Sequence, residues 1–156
     1  MDSLWKDAEA SACGDDDLAL RVYTSRLLGA DDRLVMHGGG NTSVKSTIDD
    51  FFGDPIDVLF VKGSGWDLQT IEKPGFPALK LQETRRLAEL ETLSDMDMTQ
   101  QLRAYMLDPG APSPSVEAIL HALIPSKFVD HTHADAVVTL TNNTRGAELM
   151  AELYPD

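Results

Sequence analysis

Three residues carry types and spacing that could do chemistry: Glu117, and the two histidines of His131-Thr132-His133. On a strand, residues two apart project to the same face, so a His-x-His pair sets two imidazoles side by side, close enough to share one cation. A carboxylate early in the preceding helix then stands beside a metal as ligand or as a mobile acid/base. Each feature alone has a plainer reading. A His-x-His strand is also found as ordinary structure, and a first-turn glutamate also complements the helix dipole. The combination points to a metal site.

The elements needed to place these groups are readable nearby. Ser113 and Pro114 have the types of an N-cap and a first helical residue, and Pro125 stops the helix. Val116, Ile119, Leu120 and Leu123 recur at helical spacing and are expected to form its core face. Phe128-Val129 opens a buried strand that delivers the histidines at its end. Beyond them, Ala136–Leu140 reads as continued strand, Asn142-Asn143 as a turn, and Gly146 to Leu153 as a short final helix.

Two glycine-flanked polar turns precede this region. Leu34-Val35-Met36 reads as a short strand running into His37-Gly38-Gly39-Gly40-Asn41-Thr42-Ser43, with a second strand following to about Ile48. Consecutive glycines permit positive φ and let backbone N–H groups face an anion, although the same residues also make a simple hairpin turn. The strand Asp57–Lys62 ends in Gly63-Ser64-Gly65-Trp66, a second such turn able to converge on the same anion, with Lys62 expected at a solvated strand end. Neither turn is a Walker loop or a dinucleotide fingerprint.

Elsewhere, residues 1–14 read as a loose arm. Asp15-Asp16-Asp17 caps a helix to about Leu28 with Leu20, Tyr23 and Leu27 inward. Residues 67–81 read as an irregular connection. A helix is expected over 82–93, with Leu87 and Leu90 inward, and another over Met98–Leu107, capped by Thr99 or Asp97, with Leu102, Tyr105 and Met106 inward.

With 26 acidic against 13 basic side chains and a formal charge of −13, the chain lacks the basic surface that binds nucleic acid or anionic membrane. A phosphorylated small substrate stays compatible, because a few aimed N–H groups overcome the global field locally. The single Cys13 allows no intrachain disulfide and fits a reducing cytoplasmic setting. The N-terminus lacks the apolar core of a secretory signal, and no apolar run reaches membrane-spanning length. Helices mixed with strands, without regular βαβ units, point to an α/β fold with a mixed, largely antiparallel sheet.

The segments HGGGNTSVK (37–45), KGSGWDL (62–68) and PSVEAILHALIPSKFVDHTHADAVV (114–138), in that order, resemble the class II aldolase/adducin family. The likeness is strongest to its longer members, rhamnulose-1-phosphate aldolases whose chain continues into a short-chain dehydrogenase. It spans roughly residues 15–156, as the N-terminal portion of such a domain. The resemblance implies a three-layer α/β/α fold, zinc dependence and a homo-oligomer with sites near subunit interfaces. It implies His131 and His133 as zinc ligands and Glu117 as the catalytic acid/base. Gly40, Asn41, Ser64, Gly65 and Ser115 match positions that hold the substrate phosphate and nearby oxygens. Val116 departs from the fuculose-type pattern, which has a serine there.

The family's third histidine ligand comes from a later strand, and no histidine follows His133 in these 156 residues. His37, His121 and Asp135 are the nearest substitutes, with His121 reading as a helix-surface residue. Residues 1–156 alone are therefore expected to bind zinc weakly and to be inactive. The implied reaction cleaves a ketose 1-phosphate such as rhamnulose 1-phosphate to dihydroxyacetone phosphate and an aldehyde. The metal would stabilise the enediolate, and Glu117, with a raised pKa, would move the proton on carbon. The resemblance equally admits a non-catalytic adducin-like interaction module, or an epimerase or decarboxylase forming the same intermediate. No dinucleotide fingerprint is present for a dehydrogenase.

Overall fold

The computed structural model describes residues 2–155. Its centre is a four-stranded antiparallel sheet in the order β3-β2-β1-β4, formed by β1 (Asn41–Asp49), β2 (Pro55–Val61), β3 (Ala78–Lys80) and β4 (Phe128–His131). Helices cover both faces, so the layers are α/β/α.

Strand alternation explains the two faces. On β2, Leu59 and Val61 turn to one side and join Leu79, Leu81, Leu87, Leu102, Met106, Ala118 and Ala122 in a core. That core is closed by α3 (Leu81–Arg86), α4 (Asp95–Ala104) and α5 (Ala118–Leu123). Phe60 turns to the other side and packs with Val35, Leu68, Ile71 and Phe76 and with Leu18 and Val22 of α2 (Asp17–Gly29). Ahead of them lies α1 (Asp7–Ser11), within the stretch expected as a loose arm; there Trp5 stacks edge-on against Tyr23 at 5.5 Å. After β4 come α6 (Asp135–Thr141) and α7 (Gly146–Leu153).

The expected strands at 41–48 and 57–62 and the final helix at 146–153 are present. Several other expectations are overturned. Leu34-Val35-Met36 is a turn region, with Val35 plugged into the core and Met36 outside. Ala136–Leu140 is helix: its valines lie on the exposed surface of α6, where no neighbouring strand is available to pair. The 82–93 helix stops at Arg86 and tightens into a 3-10 turn over Leu87–Glu89, which buries Leu87 but leaves Leu90 exposed. The 67–81 connection contains a 3-10 turn, Lys73–Gly75, and the short β3. Ser94, rather than Thr99 or Asp97, caps α4 by accepting from the Asp97 N–H.

On α2 the buried stripe is Arg21, Ser25 and Gly29, in place of Leu20, Tyr23 and Leu27. Gly29 lies so close to the chain at Gln69 that a Cβ would sit 2.2 Å from the Gln69 nitrogen, so no side chain fits there. Arg21 is fully buried because it has work for its donors. It reaches Ser43 O at 3.2 Å, Val129 O at 3.4 Å and Asp130 Oδ1 at 2.7 Å, and lies over the Phe128 ring. Burial lowers its pKa against the pull of Asp130. The guanidinium thus staples α2 across β1 and β4.

The helix expected from Pro114 begins only at Ala118, and its faces are reversed. Pro114 instead makes a β-bridge with Gly63. Val116, Leu120 and Leu123 are half or more exposed, and Ala118, His121 and Ala122 face inward, with Ile119 only partly buried. Two alanines let the short helix approach the sheet closely, which the bulkier stripe would prevent. His121, expected on the surface, is 1% exposed.

Candidate functional site

The site forms where β1, β4 and the turn before α5 meet. Asn41 and His131 are paired across the antiparallel ladder, so both project to the α5 side of the sheet. Glu117 immediately precedes α5 and drops onto this pair. Its Oε2 accepts from Asn41 Nδ2 at 2.9 Å, and its Oε1 lies 3.0 Å from His131 Nδ1. Ser115 Oγ accepts from the Glu117 N–H at 3.2 Å, which fixes the local turn.

Only His131 belongs to β4; His133 lies two residues on, past the strand end. Its position is secured otherwise, by its N–H donating to Leu34 O at 2.9 Å and the Asp135 N–H donating to Arg33 O at 2.8 Å. The two imidazoles still stand side by side, with ring centroids 4.9 Å apart. The expected pairing holds, although a loop and not a pleat sets it.

Gly40 makes the bend into β1 at φ +70°, and a Cβ there would meet Val35 Cγ1 at 2.5 Å and His131 O at 2.9 Å. Glycine is therefore required both for conformation and for closeness to the histidine strand. Lys62, expected in solvent, is 4% exposed and donates to Gly38 O at 2.9 Å. It ties the first glycine turn to the second. Burial lowers its pKa, opposed by the nearby carboxylates Glu117 and Asp67.

The second turn, with Ser64 and Gly65 exposed and Gly65 at φ +81°, is fastened by the Ser64 N–H to Ser113 O and by the Ser115 N–H to Lys62 O. Those two amides are committed to backbone carbonyls, which leaves the Ser64 and Ser115 hydroxyls as the side-chain donors of this turn. Asn41, 1% exposed, is also committed, to Glu117.

The electrostatics of Glu117 differ from the expected raised pKa. Burial pushes its carboxyl up, but the hydrogen bond from Asn41 and the His131 ring outweigh it and hold the pKa below the ordinary value. The group rests as a carboxylate. His121 lies one helical turn further on, with Nδ1 2.8 Å from Ser43 Oγ. Burial, against the attraction of Glu117, lowers its pKa to about 4, so the ring is neutral.

The donor set suits a divalent cation in part. With His131 Nδ1 turned to Glu117, its Nε2 is the nitrogen left for a metal, and His133 supplies a second imidazole alongside. Among the described residues no three His, Cys, Asp or Glu side chains are gathered as one metal-ligating cluster. His37, His121 and Asp135 do not complete such a set, and neither does Glu117 in this arrangement. No described helix is long and apolar enough to cross a membrane.

Comparisons with known proteins bear on the family and the fold. Residues 19–155 match the family described as Class II Aldolase and Adducin N-terminal domain. The chain is 40% identical over 151 residues to "Uncharacterized oxidoreductase YuxG" of Bacillus subtilis (strain 168), covering 97% of this chain and 22% of that protein. It therefore spans about a fifth of the length of that curated relative. It also superposes with a TM-score of 0.87 and 41% identity on the N-terminal class II aldolase domain of a conserved protein from Thermoplasma acidophilum, covering 98% of this chain and 70% of that one.

Proposed function

The chain belongs to the class II aldolase and adducin N-terminal domain family, and from that membership and the site we propose a zinc-dependent aldolase acting on a ketose 1-phosphate such as rhamnulose 1-phosphate. The observation that carries this reading is the Glu117 carboxylate, held by Asn41 and His131 beside a second imidazole.

The proposed reaction breaks the bond between the carbon next to the carbonyl and its hydroxyl-bearing neighbour. The hydroxyl of the departing half gives up its proton to solvent as that half leaves as an aldehyde, and the electrons of the broken C–C bond stay on the carbon of the dihydroxyacetone phosphate half. Glu117 returns a proton to that carbon in cleavage and removes it in synthesis. Its low resting pKa favours the carboxylate that the synthetic direction needs. His131 and His133 would hold a divalent cation, of the kind the family typically uses, which supplies Lewis-acid stabilisation of the negative charge that builds beside the carbonyl. A third protein ligand would come from residues outside 1–156 or from another copy, as the active sites of oligomeric enzymes allow.

The phosphate is the handle. Ser64 and Ser115 offer hydroxyls, and the Gly40 and Gly65 turns offer close backbone approach. Asn41 serves the Glu117 end of the same cradle.

The test is direct. Intact protein is incubated with rhamnulose 1-phosphate, and released dihydroxyacetone phosphate is measured with and without a chelator. Release that the chelator abolishes is expected; no release from this or other ketose 1-phosphates overturns the proposal. Residues 1–156 alone are expected to show little or no cleavage, and robust cleavage by them would refute the need for a further ligand.

A further inference from the structure

We propose that His121 is a positioning residue for Glu117, the second of two side-chain rungs that fix the start of α5 to β1. This inference rests on the aldolase reading for the role of Glu117. The rung itself does not.

The geometry is a pair of parallel ties. Asn41 and Ser43 lie two residues apart on β1 and face α5 together; Glu117 and His121 lie four apart, one helical turn, and face β1. The first rung is Asn41 Nδ2 to Glu117 Oε2 at 2.9 Å, and the second is Ser43 Oγ to His121 Nδ1 at 2.8 Å. The helical bond from the His121 N–H to Glu117 O, 3.1 Å, joins them. Arg21 holds the Ser43 carbonyl from the opposite side of the sheet, so the second rung stands on a fixed strand.

The helix needs such ties. α5 has six residues, and its N-cap residue, Glu117, makes no side-chain cap bond to the first turn. A helix that short does not persist by itself. Its far end is held separately, by Arg85 Nε to Ala122 O at 2.9 Å and Lys45 Nζ to Ser126 O at 2.8 Å. At the near end the two rungs act together: the first holds the Glu117 carboxylate itself, and the second holds the ring one turn further on and, through the helical bond, the backbone of Glu117.

The cost of this arrangement is visible. His121 Nε2 is buried with no hydrogen-bond partner. An apolar side chain would avoid that unpaired atom, so a histidine here is poor packing unless the Ser43 bond matters.

The experiment compares His121→Leu, His121→Asn and Ser43→Ala in the intact protein. Asparagine can present an amide group near the position of Nδ1. Expected are a fall in kcat of about tenfold or more for His121→Leu and Ser43→Ala, KM changed less than about threefold, bound metal unchanged, and most of kcat restored by His121→Asn. Equal loss in the Leu and Asn variants, or an effect confined to KM, overturns the proposal. If the wild-type protein cleaves no ketose 1-phosphate, the aldolase reading fails and amide hydrogen exchange decides the rung alone. The His121 N–H should then exchange about tenfold faster in Ser43→Ala than in wild type, while core amides of β1 and β2 stay unchanged; equal exchange rates overturn it.

Discussion

Nδ1 of His131 lies 3.0 Å from Oε1 of Glu117. Together with the hydrogen bond from Asn41, and against the upward push of burial, this contact keeps the carboxyl ionised at rest. In the proposed reaction Glu117 would therefore stand between the proton side of the site and the imidazoles of its cation side.

Glu117→Gln tests the proton side. Glutamine keeps the shape and can still bond Asn41, but it cannot carry a proton between carbon and solvent. Turnover of the intact enzyme should fall by a factor on the order of 10² or more, with metal content unchanged. Near-normal turnover would remove Glu117 from the acid/base role.

His131→Ala combined with His133→Ala tests the cation side. The two rings are the paired imidazoles of the site, 4.9 Å apart, so losing both should abolish zinc uptake by the intact protein. Elemental analysis that finds the same zinc stoichiometry in the double variant would place the metal elsewhere.

Much of this site was legible in the sequence, because its parts are local: a His-x-His pair, a glutamate near a helix start, and glycines in a row. What escaped was burial that depends on distant partners. Lys62 read as a solvated strand-end cation and Arg21 carried no signal at all, yet each is buried by donating to backbone carbonyls, Gly38 O in one case and Ser43 O and Val129 O in the other. Periodicity placed the large residues Val116, Leu120 and Leu123 inward, but α5 approaches the sheet through Ala118, Ala122 and the ring of His121. Six residues give too little helix for the pattern to choose a face. The β-branched run Val137-Val138-Thr139 suggested a strand, but strand preference is set by neighbours to pair with, and α6 has none.

Gly40→Ala tests the close packing of the first glycine turn against β4. The new methyl group would have to occupy a φ of +70° and overlap Val35 Cγ1 and the His131 carbonyl. Unfolding free energy should drop by on the order of 2 kcal/mol or more, read from denaturant melts. Because the overlap falls on His131, zinc affinity should weaken as well. A variant as stable as wild type would mean the turn can relax away from β4.

The buried neutral ring of His121 makes a prediction about pH. Its folded pKa of about 4 lies below the ordinary 6.5, chiefly because burial disfavours the charged ring. Between those values the unfolded chain binds a proton that the folded chain refuses, so stability rises with pH across the window. The contribution is complete above about pH 6.5, shrinks as the pH falls, and is gone below about pH 4. Its full size is roughly 3 kcal/mol at 1.36 kcal/mol per pKa unit. Carboxylates such as Asp16 and Asp17, whose pKa values are also lowered, add their own loss near the acid end, so wild type alone is not diagnostic. The comparison is with His121→Asn, which keeps a polar partner for Ser43 but has nothing to titrate. Denaturant melts from pH 7 to pH 4.5 should show wild type losing stability faster than the variant. Parallel curves would mean that the ring is already charged in the fold, with Glu117 as its counterion.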